Sequence, residues 1–183
     1  MHVRRRLFSA ALAFAGAPQR LKVGDALPSM QGHDLTGRAV TIPAPGAPRP
    51  TLLILGFTRN TQADAEHWEA VAGRATKVDS TLEWFVMPMI GSKGWLFSGF
   101  IDGSMRSQST PEQQRHTMSY YRDVGMWKRL TGYTRGDDAV LIVLGADGRV
   151  SWLGAGPHSE ATEKALLEAL RTVYLIPMVL PPI

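Results

Sequence analysis

Residues 51–65 read Thr51-Leu52-Leu53-Ile54-Leu55-Gly56-Phe57-Thr58-Arg59-Asn60-Thr61-Gln62-Ala63-Asp64-Ala65. The stretch to Phe57 is an apolar run bounded by turn signals, the pattern of a strand buried on both faces of a parallel or mixed sheet. From Thr61 to Thr76, Trp68, Val71, Ala72 and Ala75 recur at helical spacing. Asp64 and Glu66 fall in the first turns, where the helix dipole favours acid. Leu82 to Ile90 is a second apolar strand ending near Pro88 and Gly91. Strand, helix, strand with one helix between predicts a βαβ unit of right-handed crossover.

Moving toward the N-terminus, Pro43 to Pro50 holds four prolines in eight residues and reads as a surface loop. Before it, a loop from Leu21 leads into a short strand near Met30. A turn follows over Gly32-His33-Asp34-Leu35-Thr36-Gly37, then a strand over Arg38 to Ile42, so the pair forms a hairpin. Moving toward the C-terminus, Trp95 to Ser104 predicts a short helix. Pro111 to Arg122 predicts another, with Thr110 as N-cap and Pro111 at the first position. Ala139 to Leu144, Gly145-Ala146-Asp147-Gly148 and Arg149 to Leu153 spell a hairpin whose Asp-Gly turn suits positive φ. Ser159 caps a last helix, Glu160 to Leu170, with Ala165, Leu166, Ala169 and Leu170 toward the core.

The ends differ in character. Arg4-Arg5-Arg6 precedes the apolar run Leu7 to Ala17, and Ala13-Phe14-Ala15 fits the small-residue cleavage rule. Residues 1–15 therefore read as a signal peptide and the protein as exported, periplasmic in a bacterial cell. An uncleaved leader holding it at the membrane is the other reading. Residues 21–172 form one domain, and 173–183 an apolar tail whose Pro177, Pro181 and Pro182 forbid a continuous helix. That tail either packs on its own domain or gives a docking strand or peripheral membrane contact.

The 183 residues carry 20 Lys+Arg against 16 Asp+Glu, and cleavage after Ala15 leaves 17 against 16. A mature charge of +1 gives no dense basic stripe, so nucleic acid is not an expected partner. The chain has no cysteine. Disulfides, thiolate metal sites, thiol redox and thiol peroxidase chemistry are thereby excluded. The five histidines, His2, His33, His67, His116 and His158, show no metal-ligand spacing. No cofactor is expected.

His116 and Tyr120 lie four residues apart on the predicted helix, flanked by Arg115 and Arg122. They read either as a ridge that grips an anionic group or as ordinary solvated residues. Asp102 and Arg106 share that spacing and predict a surface ion pair. Ser104 and Ser151 have no legible His–Asp arrangement. The methionines, Met87, Met89, Met105, Met118 and Met126 among them, read as core fillers. Gly99, Gly103, Gly154 and Gly156 form no phosphate loop.

Hairpin, βαβ, insertion, hairpin, final helix resembles the order of a thioredoxin-like fold of the peroxiredoxin type. The phrase Val23-Gly24-Asp25-Ala26-Leu27-Pro28 followed by Asp34-Leu35-Thr36-Gly37-Arg38 is similar to the opening of many such domains. Further short phrases are Ile101-Asp102-Gly103-Ser104-Met105-Arg106, Arg115-His116, Tyr120-Tyr121, Gly132-Tyr133, and Ala146 to Gly156 with its Trp-x-Gly-x-Gly. Together they resemble the mitochondrial ATP-synthase assembly factors, the family of the tenth ATPase-complex factor.

The resemblance implies an α/β thioredoxin-like fold, a central mixed sheet with helices on both faces and an N-terminal β-hairpin. In that fold the loop Thr58 to Ala65 would carry the reactive cysteine, which is missing here. Its cis-proline would fall near Asp137-Asp138-Ala139, where no proline stands. The implied function is redox-silent binding of a partner protein, an assembly or chaperone-like factor for a membrane complex, and not an enzyme. The alternative is a small-molecule or anion-binding protein, or a non-thiol enzyme, using loop 58–64 and helix 111–122. Arg59 and Asn60 then become candidates, since an arginine at a helix start can hold a carboxylate or phosphate. Asn60 as a plain helix cap is the competing reading. Arg106, His116 and Tyr120 complete the candidate set.

Overall fold

The structure, a computed structural model, describes residues 20–46, 49–134 and 136–175. The leader 1–15 lies outside the described residues, as does most of the tail.

The apolar run at Thr51–Gly56 is strand β3, flanked on one side by a parallel strand and on the other by an antiparallel one. With β1 (Met30–His33), β2 (Ala39–Ile42), β4 (Glu83–Pro88), β5 (Val140–Leu144) and β6 (Val150–Ala155), the chain builds two sheets. The hairpin β1-β2 stands alone, and the main sheet runs β4-β3-β5-β6. Helix α1 (Gln62–Val78) links β3 to the parallel β4, so the predicted βαβ unit is present. Helices α2 (Ser98–Gln108), α3 (Pro111–His116) and α4 (Val124–Thr131) occupy the insertion before β5, and α5 (Glu160–Leu175) closes the order.

Alternation along the central strands splits the core in two. Leu52, Ile54, Leu141 and Val143 face one way and bury against Trp68, Val71 and Ala72 of α1 and Leu166, Leu170 and Val173 of α5. Leu53, Leu55, Val140 and Ile142 face the other way, against Trp127 and Leu130 of α4, the β1-β2 hairpin, Met118 and Tyr120. Helices therefore cover both faces, as expected. Ala165 is exposed instead of core-facing, because the buried stripe of α5 runs through Leu166, Leu170 and Val173. The helix also continues through Val173, past the boundary at 172.

The insertion departs most from expectation. The helix expected over 111–122 stops at His116. Its start obeys the signals: Thr110 caps Gln113 N–H and Gln113 caps Thr110 in return. The stop comes from elsewhere. Thr117 to Tyr120 runs extended beside β4, with bridges Val86–Thr117 and Met89–Tyr120 and a bond from Tyr120 N–H to Pro88 O of 2.9 Å. Covering an open sheet edge outweighs one more helical turn. Further on, Asp123 caps the unforeseen α4 through Met126 N–H at 2.8 Å, and Gly132 ends it at φ 71°.

Two carboxylates, Asp34 buried and Asp64 half-buried, pin the frame. Asp34, its side chain fully buried, closes the β1-β2 turn by accepting from Thr36 N–H (2.9 Å), the Thr36 hydroxyl, Arg38 N–H (3.1 Å) and Arg38 Nε (2.8 Å). Asp64, in the first turn of α1, accepts from Ala139 N–H (2.7 Å), His158 N–H (3.0 Å) and Trp68 Nε1 (3.2 Å). It thereby ties α1 to the start of β5 and to the approach to α5.

Candidate functional site

The loop from β3 into α1 is where the resemblance puts chemistry, and it is sealed by hydroxyls. Thr58 is the N-cap of a single 3-10 turn, Arg59–Thr61, and the Thr58 and Thr61 hydroxyls lie 3.1 Å apart. Thr58 Oγ1 donates to Asp137 Oδ1 at 3.2 Å and Asn60 Nδ2 to Asp137 Oδ2 at 3.3 Å. Asn60 is therefore not the cap: Thr58 starts the 3-10 turn and Thr61 stands at the N-cap of α1, while the Asn60 amide reaches across to the loop before β5. Arg59 is exposed at the rim. Beside the loop, Phe57 and Tyr133 stack at 4.5 Å, with Lys128 Nζ over both rings. Burial, then Asp137 and Asp138, raise the Tyr133 hydroxyl above its ordinary pKa, so it stays protonated and donates to Gly136 O at 2.6 Å.

The remaining candidates gather elsewhere. His116 stacks on Trp84 at 4.0 Å and 11°, with Nδ1 2.9 Å from Trp84 O. It lines an open groove of about 480 Å³ with Thr36, Arg38, Glu83, Phe85 and Arg115. Burial depresses its pKa, against the pull of the Trp84 carbonyl and Glu112. Such a ring is neutral near pH 7, donating through Nδ1 and presenting Nε2 as an acceptor. Arg106 donates through Nε to Leu35 O, while Asp102 accepts from the Tyr121 hydroxyl at 2.7 Å. The expected Asp102–Arg106 ion pair does not form, because each side chain finds a partner off the helix. Burial and then Asp102 push the Tyr121 hydroxyl well above its ordinary pKa.

Tyr120 is the plainest correction. It belongs to the extended segment on β4, is 5% exposed and packs its ring edge against Trp127 at 6.2 Å, so it makes no helical ridge with His116. Trp84 is in register with Leu52, four residues before Gly56, and Arg59 lies three beyond that. At about 3.3 Å per residue the offset along the strand already exceeds about 13 Å. Arg59 and Asn60 at one end and Arg106 and His116 at the other do not share a pocket.

The His67 and His158 rings lie 3.6 Å apart, tilted at 44°, with His158 Nε2 3.0 Å from Glu163. Among the described residues no group of three or more His, Asp or Glu is placed to hold a metal ion. Ser151 donates to Val143 O, a strand contact. A Cβ on Gly154 would collide with the Trp152 ring, which lies over that residue, so this glycine makes room for an indole.

Two surfaces went unread in the sequence. One is the outer side of β6. Ala26 bridges Arg149 and Asp25 O accepts from Val150 N–H, but Ser151–Ala155 has no strand beyond it among the described residues. No charge or proline occurs from Val150 to Gly156, although edge strands usually carry one. The other is Trp95, Leu96, Phe97 and Phe100, between 64% and 81% exposed. Its signal was a tight cluster fitting neither a helical stripe nor strand alternation.

His116 carries a pH prediction. A group whose pKa is lowered on folding resists protonation that the unfolded chain accepts, so stability falls as pH drops below the unfolded value of about 6.5. Urea midpoints should decline from pH 7.5 to 5.5 in the wild type and less steeply in His116→Gln. The variant itself should lose about 1 kcal/mol at pH 7.5, with the stacking and the carbonyl bond. Equal slopes would refute the assignment.

No family model matches this chain, and no curated protein matches it. Solved structures do. The pneumococcal exposed lipoprotein thioredoxin Etrx1 from Streptococcus pneumoniae strain TIGR4 is 9% identical, with a TM-score of 0.55 over 79% of this chain and 99% of that one. A peroxiredoxin-like protein from Aquifex aeolicus is 14% identical, with a TM-score of 0.53 over 84% and 90%. BsSco, a member of the Sco family of cytochrome c oxidase assembly proteins, is 10% identical, with a TM-score of 0.57 over 84% and 96%. At these identities the likeness shows the fold alone. The chain has an α/β thioredoxin-like fold, and it has no cysteine.

Proposed function

We propose that this chain is an exported, redox-silent thioredoxin-like protein that binds a partner protein and assists assembly of a membrane complex. The observation that carries the reading is the uncharged outer side of β6, which has no strand beyond Ser151–Ala155 among the described residues, on a fold whose customary reaction loop is closed by Thr58, Asn60 and Asp137. An extended segment of a partner adds to such an edge through main-chain hydrogen bonds, with alternate side chains giving selectivity. The leader layout supports export, and Etrx1, named as an exposed lipoprotein, is a neighbour in fold. BsSco is named as belonging to a family of assembly proteins. The resemblance to ATP-synthase assembly factors points to a complex of the same kind.

The test is a photoreactive residue at Ala155, exposed at the end of the edge, compared with one at Lys164 on α5. Irradiation of native membranes should give an adduct with a subunit of a membrane complex from position 155 and none from 164. Ser151→Lys, which puts a charge on the edge, should cut the yield about fivefold or more. No adduct at 155, or reduction of insulin disulfides at an enzymatic rate, would overturn the reading.

A further inference from the structure

Residues 92–108 form a 3-10 turn, Ser92–Phe97, running straight into α2, and not one of their side chains is buried. The inner side of this insertion is tied down by polar bonds, Asp102 to Tyr121 and Arg106 to Leu35 O. The outer side carries Trp95, Leu96, Phe97 and Phe100, at 64%, 77%, 65% and 81% exposure. Between Ile90 and Ile101 the single charged residue is Lys93, and it is exposed. The acids that flank the insertion in sequence are already engaged: Asp102 accepts from the Tyr121 hydroxyl, and the exposed Asp123 caps Met126 N–H. Arg122, exposed, lies with its backbone against Gly91 at the base of the turn.

We infer that this projecting turn is a membrane-surface anchor, whose aromatic and leucine side chains enter the headgroup–acyl boundary of a bilayer rich in anionic lipid. Trp and Phe with a neighbouring Lys are the composition of an interfacial binder, because the rings are soluble in that boundary and the cation meets lipid phosphate. Among the described residues no helix is long and apolar enough to cross a membrane, so contact through this face is peripheral. A second copy fits less well. Four side chains exposed to this degree offer about 600 Å², short of the about 800 Å² per partner of a standard interface. The inference concerns a different surface from the β6 edge and stands or falls separately from partner binding there.

The experiment uses the full chain with Leu7→Asp and Leu12→Asp, so that the leader cannot insert. Because the chain has no cysteine, Gly99→Cys gives a single labelling site. A Cβ there meets nothing within 4 Å, and Gly73→Cys on α1 is an equally open control. A polarity-sensitive dye at 99 should shift to the blue on vesicles of phosphatidylglycerol and phosphatidylcholine, while the dye at 73 stays as in water. Trp95→Ser with Phe97→Ser and Phe100→Ser should weaken vesicle binding at least about tenfold with an unchanged melting temperature, since all three rings are exposed. Lys93→Glu should weaken it about fivefold on anionic vesicles and leave zwitterionic ones unaffected. Vesicle binding with a water-like dye at 99 overturns the inference. So does a dye shift that needs no lipid and grows with protein concentration, which would report self-association. A shift that appears only with a partner protein added also overturns it.

Discussion

Asp64→Ala should unfold at a urea midpoint corresponding to a loss of about 4 kcal/mol. The half-buried carboxylate accepts two main-chain N–H groups, Ala139 and His158, that come 75 and 94 residues later in sequence, and the indole N–H of the fully buried Trp68. Alanine leaves three donors without a partner. Hydrogen bonds to a charged acceptor contribute about 1.5–3 kcal/mol each, and stranded donors cost about 1–3 kcal/mol, with incomplete additivity. Asp64→Asn keeps one acceptor oxygen and aims an amide donor at other donors, so it should recover less than half. A loss below 1 kcal/mol for Asp64→Ala would show that the hub is not what fixes α1 on β5.

Asp34→Ala should cost about 3 kcal/mol, and it should also remove part of the acid sensitivity of folding. Burial alone raises the pKa of this carboxyl. The Thr36 hydroxyl, the Arg38 guanidinium and two backbone N–H groups outweigh it and hold the value below that of a free aspartate. A carboxyl lowered in this way stabilises the fold fully above its unfolded pKa of about 3.9, and that stabilisation drains away as pH falls through the folded value. Between pH 5 and pH 2.5 the wild type should therefore lose stability more steeply than Asp34→Asn. The Thr36→Val variant, lacking the hydroxyl donor, should lie between. Parallel curves for wild type and Asp34→Asn would contradict the assignment.

The two carboxylates mark where sequence reading gains and loses its grip. The β3-α1-β4 unit was legible because Leu52 to Leu55 is apolar at every position, and Trp68, Val71 and Ala72 repeat at helical spacing. The last hairpin was legible because Asp147-Gly148 supplies the positive φ, 74° at Gly148, that its turn requires. These are local signals, and local physics decided them. The stop of α3 was not legible, since nothing in Thr117-Met118-Ser119-Tyr120 forbids a helix; the edge of β4, distant in sequence, claims that segment. For the same reason Tyr120 lies on that extended segment and forms no ridge with His116. Helix α4 did carry signals, Asp123 before Val124 and Gly132 after Thr131, with Trp127 and Leu130 three apart. Its eight residues were simply too few for a stripe to stand out.

Of the candidate residues, Arg59 and Asn60 lie at the fold's customary reaction loop, yet Asn60 serves to close that loop on Asp137. The role of Asp64 was hidden because its partners are mostly backbone groups, which the identity of a residue does not announce. The β6 edge was hidden in a different way. The Trp152-Leu153-Gly154-Ala155 phrase looks like ordinary strand, and only the strand order shows that nothing follows it among the described residues.

The segment from Ser92 to Gln108 gives no side chain to either core. Substitutions along its outer side are therefore uncoupled from the energetics that keep the sheet and its helices together. In evolutionary terms the insertion is a free variable. Its surface can be rewritten to suit a new address while the scaffold beneath keeps its melting temperature, provided the polar moorings at Asp102 and Arg106 are retained. A protein engineer inherits the same freedom, with a seventeen-residue cassette on a frame that tolerates its exchange.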